Sequence, residues 1–368
     1  MKIGTVTFWD SEDNYGQLLQ CFALLKFLKQ NGYDPFLIKF KRVRIRSKLP
    51  KRILIGIKMF MKNPKEFLKT IRFLKQQLDS EKKYVFIDRK FSQFREKYIP
   101  STKAVYTETE LFINPPLADV YICGSDQIWS GGSPTMFLQF VPKNKKRIAY
   151  AASFGGSKPA NLDEVSIFLK TFDYVSLREK SGVELCKQLG CATAELVPDP
   201  TLLLAPNTYR DMIMDVQVGD EKYLLLYLLG NEIPISVDSI FAFAKSNNLK
   251  IKYVASQGRI DDYPKISPTI EEWIGLIDNA TYVITNSFHG TVFCMLLNTP
   301  FLVIPLSGLR SKMNVRINDL LEKYGMKERI YKNTLDTIYN PVSFEKFNLL
   351  QESERRIIAE KMIEIIKK

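Results

Sequence analysis

The chain has 368 residues, of which 45% are hydrophobic and 25% charged, and it carries 53 basic and 40 acidic residues. This composition is typical of a globular protein and excludes extensive disorder, and the length suits two domains better than one core. No apolar run reaches the roughly 18 residues that a membrane span requires. No signal peptide is recognised before the first strand, and the cysteines form no C-x-x-C pair. We therefore expect a reduced, cytoplasmic compartment.

The first half of the chain alternates strand-like and helix-like segments. Residues 2–8 and 35–40 are predicted strands, and residues 16–30 between them have the periodicity of a helix that ends before Gly32. The alternation then continues, with predicted helices at 84–97 and 179–189 and predicted strands at 119–124, 147–151, 174–177 and 195–198.

Residues 39–75 carry the whole excess of positive charge, because they contain fourteen basic residues and one acidic residue. Apolar side chains such as Ile57 and Met61 recur there at helical spacing beside a basic stripe that includes Lys58 and Lys62. We expect this basic amphipathic helix to bind an anionic membrane surface, the alternative being a helix packed on its domain with a solvated basic face. Nucleic-acid binding is not expected, because no recognisable module or interleaved stacking aromatics accompany the charge.

The second half of the chain repeats the alternation of strands and helices, which predicts parallel sheets with right-handed crossovers. We therefore expect an α/β fold with two Rossmann-like domains facing a cleft, formed by residues 1–204 and 205–345. A last amphipathic helix within residues 346–368 is expected to pack back on the first domain. The predicted strands of this half are 223–229, 250–255, 281–285 and 301–304, and its predicted helices are 237–247 and 269–278.

Polar residues follow several of the predicted strands. The carboxyl ends of parallel strands share one edge of a sheet, where ligands bind. The clusters at these ends include Asn14 and Gly16, Asp126, Ser153 and Arg178. Capping and turn chemistry explains each cluster taken alone. Their recurrence predicts a single polar rim that forms an active site.

The chain has one histidine, His289, at the tip of the predicted strand that ends in T-N-S-F-H-G. A helix is predicted to begin directly after it, at Gly290, and its free N–H groups and positive dipole end favour a phosphate beside the imidazole. Histidine is the usual side chain for proton transfer near neutral pH. The alternative is a structural histidine bonded to a nearby carbonyl. Asp126 and Glu179 are the carboxylates available for the same chemistry.

Familiar cofactor motifs are missing from the chain. Neither G-x-G-x-x-G nor G-x-x-x-x-G-K-[ST] occurs, which argues against a classical dinucleotide or P-loop site. One histidine without clustered cysteines argues against a zinc site. We expect neither a cofactor nor a metal.

Six motifs occur in a fixed order: V-T-F-W-D-S-E-D-N-Y-G-Q-L-L-Q, G-S-D-Q-I-W, Y-A-A-S-F-G, S-L-R-E, V-P-D-P-T-L-L-L and T-N-S-F-H-G-T-V-F. Together they resemble the polysaccharide pyruvyl transferase family, from Met1 to Arg329, with the basic segment as the least typical part. The resemblance implies a fold like that of GT-B glycosyltransferases, phosphoenolpyruvate as donor substrate and a sugar within a glycan, often lipid-linked, as acceptor. The implied product is a cyclic pyruvate ketal that bridges two hydroxyls of one sugar. With the basic segment, we expect the reaction to take place at the inner face of the cytoplasmic membrane.

The resemblance also implies that His289 acts as acid or base and that Arg178 holds the donor. Many relatives have arginine two residues before the histidine, where this chain has Ser287. We expect Arg310, Lys312 or Arg316 to supply that charge, the alternative being a solvated helix start. Asp126 is expected to accept a proton from the attacking sugar hydroxyl, the alternative being a capping carboxylate. The remaining residues expected to contact substrate are Asn14, Gly16, Ser153, Ser287, Gly290 and Thr291.

Two other functions stay open at this point. A nucleotide-sugar glycosyltransferase has the same two-domain shape, and a non-catalytic membrane-associated protein of glycan assembly would explain the basic segment. The pyruvyl transferase hypothesis predicts that His289→Ala and Arg178→Ala abolish pyruvate incorporation and leave the thermal transition nearly unchanged.

Overall fold

The structure is a computed structural model that describes residues 1–41, 87–155, 161–256 and 258–367, together with Leu68, Ile71 and Pro159. The predicted basic helix within residues 39–75 therefore lies outside the described residues, except for its first three residues and for Leu68 and Ile71. These last two are helical and exposed. Whether the segment binds a membrane stays a prediction.

The first half of the chain forms a six-stranded parallel sheet with the strand order β2-β1-β3-β4-β5-β6. The central strands are buried and rich in β-branched and aromatic residues, as expected for a sheet covered on both faces. The strands are β1 (Lys2–Val6), β2 (Asp34–Leu37), β3 (Val120–Cys123), β4 (Lys146–Ala152), β5 (Tyr174–Leu177) and β6 (Glu195–Leu196).

Helices connect these strands. The first begins where the Asn14 side chain accepts a hydrogen bond from the Gln17 amide at 3.2 Å. Two short helices, Glu108–Ile113 and Leu162–Leu169, were not predicted, because each has only about two turns over which to show a helical pattern. The helices of this half are α1 (Tyr15–Gln30), α2 (Phe91–Tyr98), α3 (Glu108–Ile113), α4 (Leu162–Leu169) and α5 (Lys180–Gln188).

The second half forms a four-stranded parallel sheet with the order β10-β9-β7-β8. The prediction of two Rossmann-like α/β units with parallel sheets, facing a cleft, is therefore confirmed. No helix within the described ranges is long and apolar enough to cross a membrane. The strands are β7 (Tyr223–Tyr227), β8 (Lys250–Tyr253), β9 (Tyr282–Thr285) and β10 (Phe301–Val303). The helices are α6 (Pro206–Arg210), α7 (Val237–Ser246), α8 (Ile270–Asp278), α9 (Phe288–Leu297), α10 (Asn314–Tyr324) and α11 (Glu345–Lys367).

The strand orders determine where a ligand can bind. In each sheet the first strand lies between the second and the third, so the loops after the first and third strands diverge and leave a crevice at their carboxyl ends. In the first sheet this switch point lies between β1 and β3. In the second sheet it lies between β7 and β9. The loops at these four strand ends line the same cleft.

An aromatic joint connects the two units beside the cleft. Tyr15, at the start of α1, stacks on Trp273 of α8 with ring centroids 5.0 Å apart and 7° between the planes. The edge of Tyr227 meets Tyr15 at 5.8 Å. The Tyr15 hydroxyl donates to the Pro268 carbonyl at 2.8 Å and accepts from Arg89 Nη1 at 3.3 Å. The start of α1 is thus held by the second unit.

The long helix α11 runs from the second unit back to the first sheet. Gln351 donates to the Leu202 and Leu204 carbonyls at 2.6 and 3.1 Å. Near the end of the helix, the Lys146 ammonium donates to the Ile365 carbonyl at 2.7 Å. A cation at this position satisfies an unpaired carbonyl and complements the helix dipole.

We predict that Tyr15→Ala lowers the free energy of unfolding by about 3–5 kcal/mol, because it removes the stacked ring from the joint. Tyr15→Phe should cost only about 1–3 kcal/mol, because it keeps the stack and removes one hydroxyl. Urea titration followed by tryptophan fluorescence measures both values. Equal losses in the two variants would show that the ring contact does not hold the units together.

Candidate active site

The cleft between the two sheets contains a cavity of about 250 Å³. Charged and polar side chains make up most of its wall, so it suits a small anionic or polyhydroxylated ligand. The lining residues are Asp13, Asn14, Asp126, Gln127, Tyr227, Leu229, Ser256, Ser287, Phe288, His289, Arg310, Met313 and Arg316.

The start of α9 is determined by short-range hydrogen bonds. The Ser287 side chain caps the helix by accepting from the Gly290 amide at 3.2 Å. The Thr291 hydroxyl donates to the Ser287 carbonyl at 3.0 Å, and the Ser287 amide donates to the Thr285 hydroxyl at 3.1 Å. A side chain at Gly290 would lie 2.7 Å from Thr285 Oγ1. This packing presents His289 from the first turn of the helix.

His289 is 8% exposed and faces the first unit across the cleft. Its Nε2 lies 3.7 Å from Asp199 Oδ2 and has no hydrogen-bond partner among the described residues. On the other side of the ring, a β-carbon at Gly16 would lie 1.9 Å from Nδ1. The absence of a side chain at Gly16 therefore allows the start of α1 to approach the imidazole. The ring is held between two elements of the first unit.

A buried ion cluster lies directly beneath His289. Arg178 donates from Nη1 to Asp199 at 2.8 Å and from Nη2 to Asp126 at 2.9 Å. The Arg178 side chain is 1% exposed, and the Asp199 side chain is fully buried. Asp199 thus contacts both the guanidinium and the imidazole. One arginine joins the ends of three segments that are far apart in sequence.

The cluster holds its acids in the ionised form. Burial alone would raise the pKa of Asp199, but His289, Arg178 and the Thr201 amide lower it well below its usual range. The pKa of Asp126 is also lowered, because Arg178 and His289 outweigh its burial. The two aspartates and Glu179 raise the pKa of Arg178, although burial opposes them.

Local hydrogen bonds position both aspartates. Asp199 caps the 3₁₀ turn that follows it by accepting from the Thr201 amide at 3.1 Å and from the Thr201 hydroxyl at 2.8 Å. Asp126 has a φ of 69° in the tight turn after β3, a left-handed conformation that aspartate tolerates better than most residues. The Ser125 amide in that turn donates to Gln20 Oε1 of α1 at 2.9 Å.

Glu179 lies next to this cluster and differs from the aspartates. It is 1% exposed, and its Oε1 accepts from the Phe154 amide at 2.9 Å. Burial raises the pKa of this carboxyl, although Arg178 and Ser153 oppose the effect. Ser153 is fully buried and accepts from the Gly155 amide at 3.0 Å. Neither Glu179 nor Ser153 lines the cavity.

Two arginines reach the cavity from the segment after β10. Arg316 is 6% exposed, and the amide of Gln127 lies 3.1 Å from both of its terminal nitrogens, so that with its oxygen turned toward them it accepts from both. Arg310 lies against Gly230, where a β-carbon would come within 2.8 Å of its Nη1. Lys312, between them in sequence, is exposed and does not line the cavity.

The structure brings together most of the residues that the sequence singled out. Lys312 and Ser153 are not among them, and Arg178 lies beneath the cavity with both ends of its guanidinium already bound. Gly16 packs on His289, and Gly290 and Thr291 form the first turn of α9. The predicted residues that line the cavity are His289, Asp126, Asn14, Ser287, Arg310 and Arg316.

The sequence analysis missed Asp199 and Gln127. Asp199 stands in V-P-D-P-T, where an aspartate between prolines after a strand is itself a capping signal. The burial of Arg178 also changes one expectation. Arg178→Ala would leave two buried carboxylates without their cation. We therefore expect it to destabilise the fold strongly and to lower the temperature of the thermal transition.

A sequence model of the family described as polysaccharide pyruvyl transferase matches residues 14–308. No match was found among the curated proteins. Among solved structures, the chain is similar to UDP-GlcNAc 2-epimerase from Neisseria meningitidis bound to UDP-GlcNAc. The two sequences are 10% identical, the match covers 100% of this chain and 93% of that chain, and the TM-score is 0.45. It is also similar to the UDP-N-acetylglucosamine 2-epimerase from Rickettsia bellii, with 12% identity, coverage of 100% and 96%, and a TM-score of 0.48.

We predict that Asp199→Asn lowers the free energy of unfolding at pH 7 by about 3–5 kcal/mol, because Arg178 loses one of its two buried counter-charges. The carboxylate has a lowered pKa, so its contribution is complete above the unfolded value, about 3.9, and is lost as the pH falls below that value. The wild-type protein should therefore lose more stability than the variant below about pH 4. Denaturant titrations across the pH range measure this. The prediction would be contradicted if the free energy of unfolding had the same pH dependence in both proteins. It would also be contradicted if Glu221→Gln, at the surface, lost as much stability at pH 7 as Asp199→Asn.

We predict that Gly16→Ala displaces the His289 ring, because the new methyl group would overlap Nδ1. The chain has one histidine, so its imidazole signals in a ¹H–¹⁵N NMR spectrum belong to His289 alone. They should shift in Gly16→Ala and stay in place in Gly131→Ala, where the methyl group meets open space. Unchanged imidazole signals in Gly16→Ala would show that α1 does not position the ring.

Proposed function

This chain belongs to the polysaccharide pyruvyl transferase family, and we propose that it transfers the enolpyruvyl group of phosphoenolpyruvate to two hydroxyls of one sugar in a cell-surface polysaccharide precursor. The product is a pyruvate ketal, and phosphate is released. The observation that carries the proposal is the position of His289 in a polar cleft, directly above the buried cluster of Arg178, Asp126 and Asp199.

The reaction balances without a cofactor. A proton adds to the methylene carbon of phosphoenolpyruvate, and the cationic centre at the next carbon is attacked by the first sugar hydroxyl, which loses its proton. The carbon–oxygen bond to phosphate then breaks, and phosphate leaves with the electron pair. The second hydroxyl attacks the same carbon and loses its proton. One of the two released protons replaces the one that was added, and the other leaves with the phosphate.

In this scheme His289 donates the first proton and recovers one from a hydroxyl. An imidazole can do both near neutral pH. Asp199, 3.7 Å from Nε2, stabilises a positive charge on the ring, as the aspartate of a catalytic triad does. Because Arg178 and the Thr201 amide fix Asp199, this charge is in place before the substrate binds.

Asp126 faces the cleft and is the second catalytic residue of the proposal. Its pKa is lowered by Arg178 and His289 despite its burial, so it is a carboxylate at neutral pH and a weak base. We assign it to accept a hydrogen bond from the attacking hydroxyl and to orient that group, while the proton passes to His289 or to the departing phosphate.

We also propose that the acceptor is lipid-linked and that the protein works at the inner face of the cytoplasmic membrane, held there by residues 39–75. Two contacts support the proposal, one made by a residue at the start of this segment and one by a residue beyond its end. The indole of Trp9 donates to the Phe40 carbonyl at 3.1 Å, and Arg89 donates to the Asp13 carbonyl at 3.2 Å. Phe40 and Arg89 thus both contact the loop between β1 and α1, and Asp13 of that loop lines the cavity.

We predict that His289→Asn reduces pyruvate incorporation by about 10²–10⁴-fold, because the proton donor is lost. The experiment incubates the enzyme with phosphoenolpyruvate and a glycan acceptor, and it measures released phosphate together with the ketal mass in glycan fragments. The thermal transition of the variant should stay close to that of the parent, because Asp199 keeps its hydrogen bonds with Arg178 and Thr201 when the imidazole is removed.

Activity of His289→Asn within a few-fold of the parent would refute the mechanism. A thermal-shift screen tests the donor class in parallel. Stabilisation by a nucleotide sugar, with no response to phosphoenolpyruvate, would favour a glycosyltransferase. Binding to anionic vesicles without turnover of any glycan would favour a non-catalytic role.

A further inference from the structure

Two arginines lie against the ring of Phe288, the residue just before His289. The guanidinium carbon of Arg178 is 5.0 Å from the ring centroid, and that of Arg316 is 5.7 Å from it. Arg178 has both terminal nitrogens bound to aspartates. Arg316 forms no ion pair with a carboxylate in the part of the chain that the structure describes. Among the described residues, Arg178 is therefore paired with two carboxylates, whereas Arg316 is paired with none.

Arg316 is a buried cation whose hydrogen-bonding capacity is only partly used. A guanidinium has five N–H donors, and the contact of Arg316 among the described residues is with the single amide of Gln127. Its Nε is buried and has no partner. Burial and the neighbouring Arg178 lower the pKa of Arg316 to about 10, although Asp126, Glu179 and Asp199 oppose the shift, as expected for a desolvated positive charge. Unlike Arg178, it lines the cavity.

The first turn of α9 adds donors on the same wall of the cavity. The Gly290 and Thr291 amides are satisfied by Ser287. The backbone N–H groups of Phe288 and His289 have no acceptor within the described residues. They lie at the positive end of a ten-residue helix, which attracts anions.

We infer that Arg316 and the open amides of Phe288 and His289 form the phosphate-binding site of the cleft, and that Arg178 is a positioning residue for the two aspartates. A phosphate presents three oxygens, which match a guanidinium and two amides. The identification of this phosphate as that of the donor rests on the proposed function, whereas the anion site rests on the geometry alone.

This assignment accounts for Ser287 at a position where a cation was expected. The Ser287 hydroxyl is used as the cap of α9, and the positive charge comes to the cleft from the first turn of α10 instead. Arg310 also lines the cavity, but it lies against Gly230 and Gly258 of the neighbouring strand ends. Of Arg310 and Arg316, it is Arg316 that contacts the Phe288 ring and so lies next to the start of α9.

The test measures the dissociation constant of inorganic phosphate by isothermal titration calorimetry with the full chain. Arg316→Met should weaken phosphate binding about tenfold or more, and Arg316→Lys should weaken it less, because lysine keeps the charge and loses the bidentate geometry. Lys323→Met is the matched control. It removes one positive charge from the same helix, where Lys323 pairs with Glu354, and it should leave the constant within about twofold of the parent value.

A second measurement covers the case in which Arg316→Met does not fold. Phosphate added to the ¹⁵N-labelled wild-type protein should shift the amide signals of Phe288 and His289 and the Nε signal of Arg316. Absence of these shifts, or unchanged binding in a folded Arg316→Met, would overturn the inference. Phosphate binding that depends on Arg316 in a protein that forms no ketal would sustain the anion site and reject the proposed function. Ketal formation by a protein whose phosphate binding does not depend on Arg316 would sustain the proposed function and reject the anion site.

Discussion

The buried pairing of Arg178 with Asp126 and Asp199 is the constraint on which the candidate site depends. Taking three charges out of water costs several kcal/mol for each ion, and removal of one partner leaves the others uncompensated. The arginine therefore fixes the ends of β3 and β5 and the turn after β6 with respect to one another. Because Asp199 also faces His289, the same cluster places a negative charge beneath a residue of the other unit. The main consequence of the cluster is that it sets the relative positions of these residues, since a buried ion cluster is not by itself strong evidence of stabilisation.

The position of the cleft follows from topology. Both sheets have a switch point between their first and third strands, and the two crevices face each other. The start of α1 contributes to both the joint and the site, because Tyr15 stacks on Trp273 and the next residue, Gly16, lies against the imidazole. A change in the contact between the units would therefore alter the surroundings of His289 directly. The chemistry of the cleft and the packing of the two units are parts of one arrangement.

The cations near the site have separate tasks in this account. Arg178 neutralises carboxylates, and Arg316 is left to meet an anion that enters the cleft. The difference arises from neighbours and not from residue type, because both guanidiniums are buried and both contact Phe288. A preorganised positive site in a poorly solvated cavity binds phosphate more strongly than the same groups would in water. This division differs from what the resemblance implied, which was that Arg178 holds the donor, because a match of residues one by one does not show which cation is already paired with carboxylates.

The sequence alone determined the features that depend on neighbours in the chain. Hydrophobic periodicity gave the strand over residues 174–177 and the alternation of the second half, and capping chemistry gave the start of the helix after Asn14. The start of α9 was predicted at Gly290, but the Ser287 cap begins the helix at Phe288 and so includes His289 in its first turn. The position of His289 after a predicted strand also indicated that it belongs to the candidate site. Only the tertiary structure decided the strand orders, the burial of Arg178 and the place of Asp199, because these depend on contacts between residues distant in the chain, such as 52 positions between Arg178 and Asp126. Local sequence patterns do not show which charged side chains will be buried next to one another. Those neighbours decide whether a buried cation pairs with carboxylates of the fold or is available for a ligand.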